Sequence, residues 1–231
     1  MFVPVSQPDI LKEILHQIER NVLEGKLKKG DKLPAEREWA ATLGISRTTL
    51  REAIKSLELI GLVKCTQGDS IYITNNPENS FTELLSILFH LEGGTLKQIH
   101  SFRKSIETAV IQEAAACITD GQIKMLEAIC DKLEQDDFTF EEFFAVLDQR
   151  FHRIIMQVSS NPLLIIMMNA AENLFTNQIW IAREKMKSDP GASAQINSQH
   201  REIIEALRSA DQNNAARAMQ KHMDYTAVYY E

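Results

Sequence analysis

The sequence predicts a mainly α protein, an N-terminal winged helix-turn-helix followed by an all-α antiparallel helical bundle. Three observations carry this expectation. Residues 33–62 read as two short helices joined by a glycine turn, and two β-prone runs follow at once. From residue 80 onward, apolar residues recur at helical spacing with no convincing strand. At 231 residues, 44% of them hydrophobic, the chain is long enough for two modest cores, which we place at 1–76 and 77–231.

In the first part, Ile10, Ile14, Ile18 and Val22 form an apolar stripe on a helix that Gly25 ends. Pro34 falls where a helix's first turn tolerates it, so a second helix is expected over 35–43. Gly44 supplies the tight turn, and Ser46 caps a third helix through its side-chain oxygen. Leu50, Ile54 and Leu57 face inward along that helix. Its first turn and outer face carry Arg47, Thr48, Thr49, Arg51 and Lys55. Runs 62–65 and 71–74 then read as two strands, with Thr66, Gln67, Gly68, Asp69 and Ser70 as the hairpin between them. A helix pair whose second member opens with arginines and hydroxyls fits a DNA major groove. Arginine forks onto guanine edges, threonine touches a thymine methyl, and free amides at a helix start suit a phosphate. The pattern alone leaves open an ordinary helix pair with a solvated basic face.

In the second part, breaks are expected at 93–94, 120–121, 136–137, 160–162, 190–191 and 210–211, leaving about seven helices. Asn161 before Pro162, and Asp211, are good helix caps. Asp148 and His152 lie four apart and share a helix face. His200 and His222 stand about 15 Å and 18 Å from the turn near Ala210, at ~1.5 Å per residue, so an antiparallel hairpin brings them to similar height. Such nitrogen and oxygen ligands suit zinc, nickel, manganese or iron, and spacing does not choose among these or exclude four unrelated polar residues. Arg103 sits among Ile99, Phe102, Ile106 and Val110, a costly place for a charge without an anion. A carboxylate ligand or Glu107 one turn away would both answer. Lys104, Arg153 and Arg183 are expected as surface charges. Phe143, Phe144, Phe151, Phe175 and Trp180 are expected in core or pocket wall.

The formal charge of -7 divides unevenly. Residues 1–76 carry 11 basic against 10 acidic groups, about +1, and the remainder 14 against 22. The first part is thus only weakly cationic, which predicts moderate, salt-sensitive DNA affinity reliant on two copies. Cys65, Cys117 and Cys130 are odd in number and unclustered, as in a reducing cytoplasm. No signal peptide is evident, and the longest apolar run, 163–168, is far below the ~20 residues that span a bilayer. A cytoplasmic protein with no membrane partner is expected.

The run Gly25-x-Leu27-x-x-Gly30-Asp31-x-Leu33-Pro34-Ala35-Glu36-Arg37-Glu38-x-Ala40, then Gly44-Ile45-Ser46-Arg47-x-Thr49-Leu50-Arg51-Glu52-Ala53, resembles the GntR family of bacterial transcription regulators. The resemblance implies operator contacts by Arg37, Ser46, Arg47, Thr48, Thr49 and Arg51, with Gly68 at the wing tip. One departure is Ser70, where the wing of that family usually has a second glycine. Arg103-x-x-x-Glu107, Asp148-x-x-x-His152, Ser160-Asn161-Pro162, His200 and His222 look like the FCD effector domain of the FadR subfamily. That likeness implies a divalent ion, zinc first among candidates, on Asp148, His152, His200 and His222. It also implies a small organic-acid effector held by Arg103. The expected protein is a non-enzymatic regulator, a repressor, binding palindromic double-stranded operator DNA as a homodimer. The rival expectations are a metal-sensing repressor and a metal-dependent hydrolase or lyase.

Overall fold

A computed structural model describes residues 10–66, 70–74, 80–134, 141–186, 188–189 and 191–231. Gly68, the stretch 75–79, the 136–137 break, Pro190 and the side chain of Phe143 lie outside that description. The chain separates into two compact units, Met1–Leu84 and Leu85–Glu231.

The first unit holds α1 (Ile10–Leu23), α2 (Glu36–Leu43), α3 (Arg47–Leu59), β1 (Val63–Thr66) and β2 (Ser70–Ile73). The strands pair antiparallel, with Val63 opposite Ile73 and Thr66 opposite Ser70. Lys32 bridges to Tyr72, and Leu33 N–H donates to the Ile71 carbonyl at 2.8 Å, so the chain before α2 covers the outer edge of β2. Inside lie Ile14, Ile18, Trp39, Leu50, Ile54, Leu57 and Ile71. Leu50 and Leu57 are wholly enclosed, each contributing about 1.5–3 kcal/mol. Gly44, at φ 67°, ends α2 in the left-handed region that side chains resist. Ser46 then starts α3, its hydroxyl accepting from Thr49 N–H at 3.1 Å.

Two expectations need correction here. Val22 is 47% exposed, because the α1 stripe is only needed as far as Ile18 to cover the core. Pro34 precedes α2 rather than joining its first turn, and Ala35 is the cap.

The division falls within α4 (Ser80–Leu91), and the second unit continues through α5 (Leu96–Cys117), α6 (Asp120–Glu134), α7 (Glu141–Met156), α8 (Pro162–Ala170), α9 (Glu172–Met186), α10 (Ala192–Arg208) and α11 (Gln212–Thr226). A 3-10 turn, Ala227–Tyr230, closes the chain. The long α5 packs against α7, α9, α10 and α11, and α6 covers α7 and α10. Ile111, Leu126, Ile155, Ile203, Leu207 and Met219 fill the space between them. Caps are supplied by Thr95 with Gln98, by Asn161, and by Asp211, whose carboxylate accepts from Asn214 N–H at 2.9 Å. The bundle has one more helix than expected among the described residues, since α8 and α9 part at Ala171 with neither glycine nor proline to mark it. Gly121 lies inside α6, and the break falls at Ile118–Thr119, where Thr119 and Gln122 cap each other.

Candidate functional site

The outer face of the first unit is set by α3. Its apolar positions point inward, so Ser46, Arg47, Thr48, Thr49 and Arg51 are left exposed at or near its start. Arg37 is exposed in the first turn of α2. The two α3 arginines meet a common partner. Arg51 Nη2 donates to Glu36 Oε2 at 2.8 Å, and Arg47 Nη2 stands 3.9 Å from the same oxygen. The Arg51 hydrogen bond, against the opposing effect of burial, lowers the Glu36 pKa. Glu36 therefore holds both guanidiniums beside the exposed start of α3.

The second constellation is interior. Asp148 and His152 on α7, His200 on α10 and His222 on α11 offer ligand atoms all within 4.8 Å of one another. Exposure is 7% for Asp148 and 4% or less for each histidine. The helical repeat puts the first two on one face, and the α10–α11 hairpin matches the heights of the others.

Neighbours fix how the rings point. Glu107 on α5 accepts a short hydrogen bond from His152 Nδ1–H, and Gln199 Oε1 lies 3.3 Å from His222 Nδ1. Those contacts place protons on the outer nitrogens and turn Nε2 of both rings inward. The two Nε2 atoms are then 3.2 Å apart. Lone pairs facing at that distance repel unless a cation or proton lies between. Two imidazoles sharing a tetrahedral ion at ~2.0–2.1 Å would have their nitrogens about 3.3–3.4 Å apart. His200 stacks on Phe151 at 4.1 Å, and neither of its ring nitrogens has a hydrogen-bond partner among the described residues. Burial pushes the His200 pKa down to about 3 and that of His222 well below its usual value. Neutral imidazole is the ligating form. Burial would raise the Asp148 pKa, but His152, Arg183 and His200 hold it below the usual range. A donor set of this chemistry, with an imidazole inside it whose Nε2 stands 3.5 Å from Asp148 Oδ1 without a hydrogen bond among the described residues, fits a metal ion.

Arg103 is buried at 4% exposure, and its Nε donates to Glu107 Oε1 at 3.0 Å. Glu107 thus joins Arg103 to His152, and burial is outweighed by those two neighbours, lowering its pKa to about 2. Arg103, Glu107 and His152 line a cleft of about 40 Å³ with Met156, Met168 and Phe175. The geometry corrects the surface placement of Arg183. It is only 7% exposed, its guanidinium carbon lies 3.4 Å from the Phe144 ring centroid, and Nη2 reaches Asp148 Oδ1 at 3.4 Å. Lys104 pairs with Asp224 at the surface, and Arg153 with Glu172 at 3.1 Å. Gln199 had no sequence signal beyond adjacency to His200. Glu107 was legible only as the fourth residue after Arg103.

Comparison with known proteins agrees with both halves. Residues 11–73 match bacterial regulatory proteins of the gntR family, and residues 98–225 match the FCD domain. The Glc operon transcriptional activator of Escherichia coli (strain K12) is 27% identical over 93% of this chain and 86% of its own. The HTH-type transcriptional repressor NanR of Salmonella newport (strain SL254) is 24% identical over 96% of this chain and 85% of its own. A solved structure described as Streptococcus agalactiae GntR superposes with a TM-score of 0.69 at 25% identity, covering 94% of this chain and 97% of that one. These relatives are named for control of transcription, not for catalysis. The chain belongs to the GntR family of bacterial regulatory proteins, a transcriptional regulator whose second part is an FCD effector-binding domain.

Proposed function

We propose that the chain is a FadR-subfamily repressor that grips a palindromic operator as a homodimer and lets go when a small organic acid enters its bundle. Residues 1–76 would bind the DNA through Arg37, Ser46, Arg47, Thr48, Thr49 and Arg51, with Gly68 at the wing tip. Residues 77–231 would hold a divalent ion on Asp148, His152, His200 and His222, zinc being the best match to three nitrogens and one oxygen. Arg103 would meet the acid's carboxylate at the cleft it lines with His152. The observation that carries this reading is the enclosed imidazole of His200, neither of whose nitrogens has a hydrogen-bond partner among the described residues.

When bound, the ion would supply a Lewis-acidic point for an oxygen of the effector. The remaining steps belong to the chain. Glu107 holds His152 by its outer nitrogen, and Phe151 holds His200 by stacking. Arg103 presents a planar fork beside them. A cleft of about 40 Å³ has room for roughly one water. An organic acid must therefore push α8 or α9 aside, since Met168 and Phe175 form its wall. That displacement is the physical link between occupancy and a second state of the protein, and linkage makes the effect on operator affinity reciprocal.

The test is a gel shift on the DNA upstream of the chain's own coding region, with zinc-loaded protein. Retention lost on adding one of a panel of small acids supports the reading. Retention indifferent to every acid overturns it. The tight cleft also favours a second reading, in which the ion itself is the signal. Titrating zinc with no acid present separates the two, because operator binding would then follow free zinc alone.

A further inference from the structure

We infer that Arg183 is a second anion anchor beside the metal cluster, and that the effector is a small dicarboxylate rather than a monocarboxylate. This inference rests on the organic-acid reading above. The charge of Arg183 is enclosed, but its hydrogen bonding is incomplete among the described residues. Arg183 is 7% exposed, and its Nη1 is buried with no partner among the described residues. Its one acceptor, Asp148 Oδ1, is 3.4 Å away, and that carboxylate also belongs to the cluster. The face of the guanidinium is held by Phe144, so its plane is set in advance. Burying such a group with its acceptors incomplete is costly, which an anionic ligand would relieve.

Charge points the same way. Among the described residues, the enclosed ionic groups around the cluster are Arg103 and Arg183 against Glu107 and Asp148. They balance before any ion arrives. A divalent ion on neutral histidines then leaves two positive charges uncompensated in a water-poor interior. It also draws on Asp148, the carboxylate that faces Arg183. Asp148 would then be shared between the ion and Arg183, so its single negative charge could not offset both without a further anion. One carboxylate corrects half of the excess, and two correct all of it. Arg103 on α5 and Arg183 on α9 each offer a fork of the kind that takes a carboxylate at two points. A four-carbon diacid supplies both carboxylates in one molecule.

The experiment is calorimetry on the zinc-loaded full-length chain with matched probes, succinate against propionate and malate against lactate, at constant ionic strength. The dicarboxylate of each pair is expected to bind at least about tenfold more tightly. Arg183→Gln is expected to collapse that preference to within about twofold, with zinc content checked by atomic absorption and folding by circular dichroism. Should Arg183→Gln fail to fold, Arg183→Lys keeps the charge without the fork and should lose most of the preference, while the wild-type comparison stands by itself. Equal affinity within each pair overturns the dicarboxylate inference yet leaves an organic-acid effector standing. Binding of none of the four, with operator retention governed by zinc alone, overturns both.

Discussion

The two units place their polar chemistry on opposite sides of their apolar cores. In the first, Leu50, Ile54 and Leu57 are inside while the hydroxyls and arginines of α3 face out. In the second, two arginines, two carboxylates and three histidines are enclosed among Phe151, Ile203 and Met219. An exposed site can lose a side chain at little cost to folding, because water replaces the missing partner. An enclosed site cannot, because whatever partner remains is left without water or counter-charge. Function and stability are thus separable in the winged helix and coupled in the bundle.

Substitutions can break this contrast or sharpen it. The largest effect is expected from Glu107→Ala, which strips Arg103 and His152 of a shared carboxylate. Breaking a buried pair of this kind costs about 3–5 kcal/mol, read as a lower urea midpoint for the bundle. The double change Arg103→Met with Glu107→Met should recover most of that loss. A single-substitution cost under about 1 kcal/mol would show that water reaches the pair. Next comes Arg47→Ala, which should weaken operator retention by about 1–3 kcal/mol per recognition helix, roughly five- to 160-fold, with helical content unaltered. Retention equal to wild type would remove α3 from the interface.

A smaller effect concerns His100, buried beside Thr226 and Tyr230 and lowered to about 4 by burial and then by Arg103. Its folded pKa lies below its unfolded value near 6.5. Between those values the unfolded chain takes up a proton that the folded chain refuses, so stability falls as pH drops from 6.5 towards 4. The slope is at most about 1.4 kcal/mol per pH unit. Urea unfolding of metal-free protein at pH 7, 6 and 5 measures it, and His100→Gln should reduce the slope by one proton. The smallest effect is expected from Glu36→Gln. Releasing Arg47 and Arg51 from this partner should tighten DNA binding a few-fold and steepen its salt dependence by about one unit. Weaker binding instead would mean that Glu36 chiefly aims the arginines.

Much of this architecture was legible in one dimension, and what escaped has a physical pattern. Ser46, Asn161 and Asp211 announced their helices because capping is local chemistry, confined to three or four residues. Helical spacing pairs Asp148 with His152 and one short turn pairs His200 with His222, but only the family resemblance joined the two pairs into one set. Arg183 was not, since its burial depends on Phe144, 39 positions earlier in the chain, and a long cationic side chain on a helix usually reaches water. The α8–α9 joint escaped for the opposite reason. Ala171 bends the chain in an ordinary backbone conformation, so packing rather than residue type sets the corner. Val22 continued its stripe past the point where anything remained to be covered.

Between α10 and α11 the chain turns at Ala210, whose φ is 54°, on a residue with no special tolerance for it. That corner works as a ruler. One residue added inside α11 between that corner and His222 would rotate His222 by about 100° around the helix axis and advance it about 1.5 Å. His222 would then be carried out of line with its three companions, although every candidate ligand were still present. The number of residues from corner to imidazole, as much as the identity of the side chain, decides whether these four groups meet.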